Sequence, residues 1–184
     1  GSRVPTSTYR LQLGPDLCFD DVRERLDKIA AVYQELEDEQ LLPLLADILA
    51  AENVVGWFQG RMEFGPRSLG ARSIIADARS PTVQKQLNLK VKYRESFRPF
   101  APSILREDVA DWFEINTDSP YMLLVADVKK EKQLAMTEAQ KQLFGIEKLN
   151  VPRSEIPAVT HVDYSARIQT VSKETNPKYH ALIS

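Results

Sequence analysis

Residues 60–73 read GRMEFGPRSLGARS, with three glycines, three arginines and a proline in one short run. Glycine lets a backbone take φ > 0 or come close to a ligand. Arginine presents a forked, permanently charged donor set that matches phosphate or carboxylate. A glycine-rich bend studded with arginine is the composition of an anion pocket, and the rest of the chain has to fold around it. A second basic cluster follows at Lys90, Lys92, Arg94 and Arg98 and runs into FRPFAPS at 97–103. There the cations alternate with aromatics and rigid prolines instead of lying along a solvated helix face.

A single arginine near a glycine is most often a surface ion pair. Glu63 and Glu95 are available to pair with Arg61 and Arg94, whereas Arg67, Arg72 and Arg98 have no acid within two residues. The pocket is not a P-loop, because GxxxxGK[ST] is missing, and it is not a dinucleotide fingerprint, because GxGxxG is missing.

Composition narrows the partners. The 184 residues are 43% hydrophobic, with a formal net charge of −2 and a pI near 5.8. This argues against a general nucleic-acid or membrane-surface binder and leaves room for a local basic pocket. A compact chain of this length buries about 70% of its unfolded surface, so its core needs no metal or disulfide. The lone Cys18 cannot form an internal disulfide and is expected to be a buried or half-buried structural thiol in a reducing, cytoplasmic setting. His161 and His180 lack the spacing of a zinc site. No apolar run reaches a membrane span and no signal peptide is evident. Gly1 and Ser2 read as a vector remnant.

Residues 1–12 read as remnant and arm, without a clear period as far as Asp16, and 13–184 as one domain. Apolar spacing predicts helices over 20–36 and 38–51, the second with Pro43 in its first turn. A buried strand is expected near 54–60. Ser80 and Pro81 open a helix to about Val91. Strands follow at 100–105 and 121–128, with a short helix between them at 107–113. Residues 129–149 form a polar excursion with some helix, 158–171 carries one or two strands, and Asn176-Pro177 starts a last helix. Trp57, Phe58 and Trp112 are expected in the core. The long irregular loops indicate an α/β fold of mixed α+β character, not a regular βαβ array.

The run GWFQGRMEFGPRSLGARSIIAD at 56–77 resembles the C-terminal domain of the NodU/CmcH carbamoyltransferase family. VKYRESFRPFAPS at 91–103 is similar to its second signature. HVDYSARIQTV at 161–171 resembles its third, with Tyr164-Ser165 where Gly-Thr is common. The resemblance runs from about Leu13 to the end and is weakest over 129–157. It implies a YrdC-like twisted open mixed sheet flanked by helices, with a positively charged concave face. It also implies a domain that binds carbamoyl phosphate and ATP with Mg²⁺, forms carbamoyl-adenylate, and hands the carbamoyl group to a separate N-terminal ASKHA-like domain for transfer to a small-molecule hydroxyl. That partner domain and its metal ligands are expected to be absent here, so no tightly bound metal is expected. Family members continue past the position of Ser184, so the domain is expected to be incomplete at that end.

On this reading Arg67, Arg98 and Lys92 are the phosphate clamps. Arg61, Arg72, Arg94 and Arg167 are further candidates, with amide donors around Gly65 and Ser68, and Ser103 a hydrogen-bonding partner. His161, beside Asp163, is the candidate acid/base, or else a side chain satisfied by Asp163. Two alternatives remain: a non-catalytic nucleotide- or anion-binding module, and an RNA-associated YrdC-like domain. The second is disfavoured by the net charge and by the lack of an aromatic–basic ladder.

Overall fold

The computed structural model describes residues 12–15 and 17–184. The expected N-terminal arm therefore lies mostly outside the described residues. Its described part is tied down at Gly14, whose amide donates to the Met62 carbonyl at 3.0 Å.

The mixed α/β character is borne out. Helices surround short strands in an open arrangement, and the strands pair as three two-stranded sheets. Antiparallel β1 (Val55–Phe58) and β2 (Arg72–Ile75) bracket the glycine-arginine segment, with Phe58 opposite Arg72. Parallel β3 (Ser103–Leu105) and β6 (Gln169–Val171) set Ser103 opposite Gln169. Antiparallel β4 (Val125–Asp127) and β5 (Ser165–Arg167) set Val125 opposite Arg167. The second and third sequence signatures, far apart in the chain, thus meet side by side.

Several elements end earlier than periodicity predicts. Helix α1 (Phe19–Lys28) stops well before residue 36. Ala30 takes φ 51, the Ala30 amide donates to the Asp27 carbonyl, and the Ala31 amide donates to the Leu26 carbonyl. This is a Schellman stop built on alanine instead of glycine, which a search for glycine stop signals passes over. Helix α2 (Asp38–Ala50) lies where expected, but Pro43 is its sixth residue, in the second turn. The strand expected at 121–128 shrinks to β4 because Met122 sits at φ 55, in a turn closed by its amide on the Ser119 carbonyl. Cys18 is exposed ahead of α1, not buried.

The Ser80 hydroxyl does accept from the Thr82 and Val83 amides. Regular helix then runs only over α3 (Val83–Gln86) before widening into a π-turn at Leu87–Val91. Helix α4 (Val109–Trp112) follows a short 3₁₀ turn, and α5 (Glu138–Lys141) and α6 (Gly145–Leu149) lie in the polar excursion. Asn176 caps α7 (Pro177–Ile183) by accepting from the Tyr179 amide. Among the described residues no helix is long and apolar enough to cross a membrane.

The core falls into linked clusters. The largest joins Phe113, Val128, Ile156 and Ile168 beneath β4 and β5. A second packs Trp57, Val171, Tyr179 and Leu182 against α2. A third joins Val83, Leu87 and Ala158. Trp57 belongs to the core, as expected, but Phe58 is 58% exposed and lies under the Arg72 guanidinium. Phe100 is half-buried and packs against the first and third clusters. Phe100→Ala is therefore expected to cost about 2–4 kcal/mol, read as a lower urea midpoint with an unchanged slope. An unchanged midpoint would remove Phe100 from the core.

Candidate functional site

A cleft of about 1450 Å³, including its open mouth, lies between the glycine-arginine segment, the 92–103 segment and β5. Of the residues singled out in the sequence, Arg67, Ser68, Lys92, Arg94, Ser103 and Arg167 line it. Three separate stretches of chain deliver these side chains to one place.

The cations differ in how firmly they are held. Arg94 donates from Nε to the Asn88 Oδ1 at 2.5 Å, and its guanidinium stacks 4.7 Å from the centroid of Phe100. Asn88 is fully buried, and its amide also donates to the carbonyls of Ser96 and Arg98. One buried side chain thus fixes both Arg94 and the loop carrying it. Burial, and then the charge of Arg98, pull Arg94 below its usual pKa. Tyr93, at φ 49, turns the chain between Lys92 and Arg94, and both flanking cations line the cleft.

Lys92 and Arg167 are exposed and make no ion pair among the described residues. Arg67 is half-buried, and its Nε is shielded from solvent with no hydrogen-bond partner. A buried N–H without an acceptor costs free energy. Among the described residues, the only carboxylate lining the cleft, Asp77, is already committed to Arg79, at 2.6 Å from Nη2. That bond above all holds the Asp77 pKa below the usual range. The cleft is therefore lined by four cations, and its single acid is neutralised.

The floor is a relay of neutral groups. The Tyr179 hydroxyl donates to the Ser103 Oγ at 2.8 Å, Ser103 donates to the Gln169 Oε1 at 3.0 Å, and the Gln169 amide donates to the Leu69 carbonyl at 2.9 Å. Ser103 thus spends its proton inside the protein and offers a ligand only a lone pair. The relay locks the 68–70 backbone to β3 and β6.

Glu63 anchors the same loop from the other side. It is 7% exposed, and its Oε1 accepts from the amides of Leu69 and Ala71 at 2.7 Å and of Arg72 at 3.3 Å. It does not serve as the ion-pair partner expected for Arg61. Burial by itself would raise the Glu63 pKa, but the amide donors outweigh it and the net shift is downward. A lowered folded pKa contributes stability above the unfolded value, about 4.3, that is lost as pH falls through the folded value. The urea midpoint is expected to fall more steeply in acid for the wild type than for Glu63→Gln. Parallel acid profiles would show that Glu63 does not carry this stability.

The other sequence candidates lie elsewhere. Arg72, a further candidate for anion binding, is instead a structural pin. It donates to the carbonyls of Gln59, Gly60 and Ala71, and its guanidinium lies 3.3 Å from the centroid of Phe58. Arg98, expected as a phosphate clamp, is instead exposed beside Glu95, 3.8 Å away, and does not line the cleft. Arg61 is exposed and also outside the lining. His161 lines a different groove, with Nδ1 3.1 Å from the Ser165 Oγ, and Ser165 in turn donates to Asp163. His180 pairs with Glu107 at 2.7 Å. Sequence reasoning missed Asn88, Gln169 and Tyr179. The one available signal for Asn88 was an amide beside Leu87 on a helix that buries that face.

The described residues hold no group of three or more His, Cys, Asp or Glu side chains able to bind a metal ion.

Comparison with known proteins identifies the family. The Carbamoyltransferase C-terminus model matches residues 46–184. An uncharacterized protein of Synechocystis is 58% identical over 98% of this chain and 30% of its own length. Nodulation protein NolO of Bradyrhizobium diazoefficiens is 39% identical over 93% of this chain and 28% of its own length. The 3'-hydroxymethylcephem-O-carbamoyltransferase of Streptomyces clavuligerus is 41% identical over 76% of this chain and 22% of its own length. The chain thus spans less than a third of the curated relatives it matches. With the family model covering most of its residues and its cationic cleft built from the segments that carry the resemblance, the chain belongs to the carbamoyltransferase C-terminus family.

Proposed function

We propose that this domain binds carbamoyl phosphate in the cationic cleft and, with Mg²⁺-ATP as co-substrate, activates the carbamoyl group as carbamoyl-adenylate. A separate domain of the longer protein then transfers that group to a small-molecule hydroxyl. The observation that carries the reading is the convergence of Arg67, Lys92, Arg94 and Arg167 on one cleft whose described lining holds one carboxylate, Asp77, already paired with Arg79.

The phosphoryl dianion meets Arg67, Lys92 and Arg167, with Arg94 held behind them by Asn88. Water attacks the carbamoyl carbon and phosphate leaves. A carbamate oxygen then displaces pyrophosphate from the α-phosphorus of ATP. Both steps build charge on oxygens, and fixed cationic donors stabilise that charge most where water is excluded. His161 lines another groove, so no proton transfer is assigned to it. The relay through Ser103 and Gln169 keeps the Ser68 loop in register with the cations.

The test is calorimetric titration with carbamoyl phosphate, then Mg²⁺-ATP, with pyrophosphate release followed in parallel. Binding with pyrophosphate release supports activation by this chain. Binding of carbamoyl phosphate without release reduces the chain to an anion-binding module. Binding of neither ligand overturns the reading for this chain.

A further inference from the structure

The floor of the cationic cleft carries a hydroxyl whose polarity the fold fixes. Ser103, Gln169 and Tyr179 all line the cleft and form its relay. A backbone carbonyl, which can only accept, sets the direction at one end. The Gln169 amide nitrogen donates to the Leu69 carbonyl at 2.9 Å, so the Gln169 Oε1 is the end turned to Ser103. That oxygen has no proton to give, so Ser103 donates to it at 3.0 Å. The Tyr179 hydroxyl then donates to the Ser103 Oγ at 2.8 Å. A serine oxygen has two lone pairs. Tyr179 takes one, and the other is left for a ligand. Ser103 cannot turn its proton towards that ligand without giving up its bond to Gln169.

Of the three relay residues, Ser103 is the accessible one. Gln169 is 5% exposed and Tyr179 4%, whereas Ser103 is half-buried. The cations that share the lining, Arg67, Lys92, Arg94 and Arg167, are donors without exception, and the Asp77 carboxylate is paired with Arg79. A ligand seated here meets cations at its anionic end and one fixed neutral acceptor at the floor. The matching molecule is a phosphate joined to a small group that carries an N–H. A methyl group in the same place would take water from the Ser103 lone pair and return no hydrogen bond. A site built to pair with a substrate N–H rejects the analogue that lacks it, because its own polar group is left unsatisfied. Carbamoyl phosphate and acetyl phosphate differ by just this exchange of NH₂ for CH₃, at nearly the same size and charge.

We infer that Ser103 is the specificity-determining residue of the cleft, selecting carbamoyl phosphate over other acyl phosphates by accepting a hydrogen bond from the carbamoyl NH₂ group. The inference rests on the carbamoyl phosphate reading above and adds the group that recognises the acyl end.

The test is calorimetric titration of the intact chain with inorganic phosphate, carbamoyl phosphate and acetyl phosphate at one pH. Inorganic phosphate, which has no acyl group, is the reference for each protein. The wild type is expected to bind carbamoyl phosphate about tenfold or more tightly than acetyl phosphate. Ser103→Ala should bind the two acyl phosphates within about twofold of each other. A ratio of two ligands on one protein is not moved by a general loss of stability. Tyr179→Phe should keep the preference, because Ser103 still gives its proton to Gln169. Equal binding of the two acyl phosphates by the wild type overturns the inference without recourse to any variant, as does a preference that survives in Ser103→Ala or disappears in Tyr179→Phe. In those cases binding of inorganic phosphate leaves the anion cleft standing. Binding of none of the three ligands overturns both readings.

Discussion

Arg67→Ala is expected to slow carbamoyl-phosphate-dependent pyrophosphate release by about 10²–10³-fold, as loss of a preorganised donor to developing charge does. Its melting temperature should stay close to that of the wild type. The two expectations follow from one fact: Arg67 lines the cleft, and its guanidinium makes no hydrogen bond or ion pair among the described residues. Nothing in the fold depends on that charge, whereas an anion in the cleft would. Two controls sharpen the test. Arg98→Ala should leave activity within about threefold, since Arg98 is an exposed, Glu95-paired residue outside the lining, and such pairs contribute little. Arg72→Ala should lower stability, because its guanidinium ties down three carbonyls and covers Phe58. If Arg67→Ala instead melts several degrees lower with turnover intact, Arg67 is a structural residue and the cleft reading fails at its centre.

The largest expected stability effect belongs to Gly70→Ala, at about 3–5 kcal/mol. Gly70 sits at φ +97, where a side chain is strained. An added Cβ would also lie 2.5 Å from the Tyr179 Cδ1. That ring cannot retreat. It is 4% exposed, it stacks on Trp57 at 6.4 Å between centroids, and its hydroxyl is fixed on Ser103. The Gly70 carbonyl moreover accepts from Trp57 Nε1 at 2.9 Å and Gln59 Nε2 at 2.7 Å. Overpacking and backbone strain therefore act on one peptide. The check is chemical denaturation, with Gly56→Ala as comparison, since a Cβ there meets nothing within 4 Å. Equal midpoints for the two variants would show that the Gly70–Tyr179 contact does not constrain the fold.

Residue type determined much of this protein before any contact was known. Forked cations among glycines and prolines pointed to an anion pocket, and of the three clamps expected there Arg67 and Lys92 line one cleft while Arg98 does not. Helix α2, the cap at Ser80 and the start of α7 at Asn176-Pro177 were legible because spacing and capping are local properties of the chain. The early end of α1 was not, because its stop is an alanine held at positive φ by two backbone bonds. Nor could sequence separate Arg67 from Arg72. Both follow glycines in the same run, and only the fold places one guanidinium on carbonyls and an aromatic ring and leaves the other without an acceptor. Proximity in a signature does not fix direction either: His161 and Arg167 share one signature, yet they line different grooves. The ion pairs Asp77–Arg79 and Glu95–Arg98 are local contacts within the chain. Only the tertiary structure brought Arg67, Lys92, Arg94 and Arg167 to one cleft, because residues from separate segments meet only through the packing of the fold.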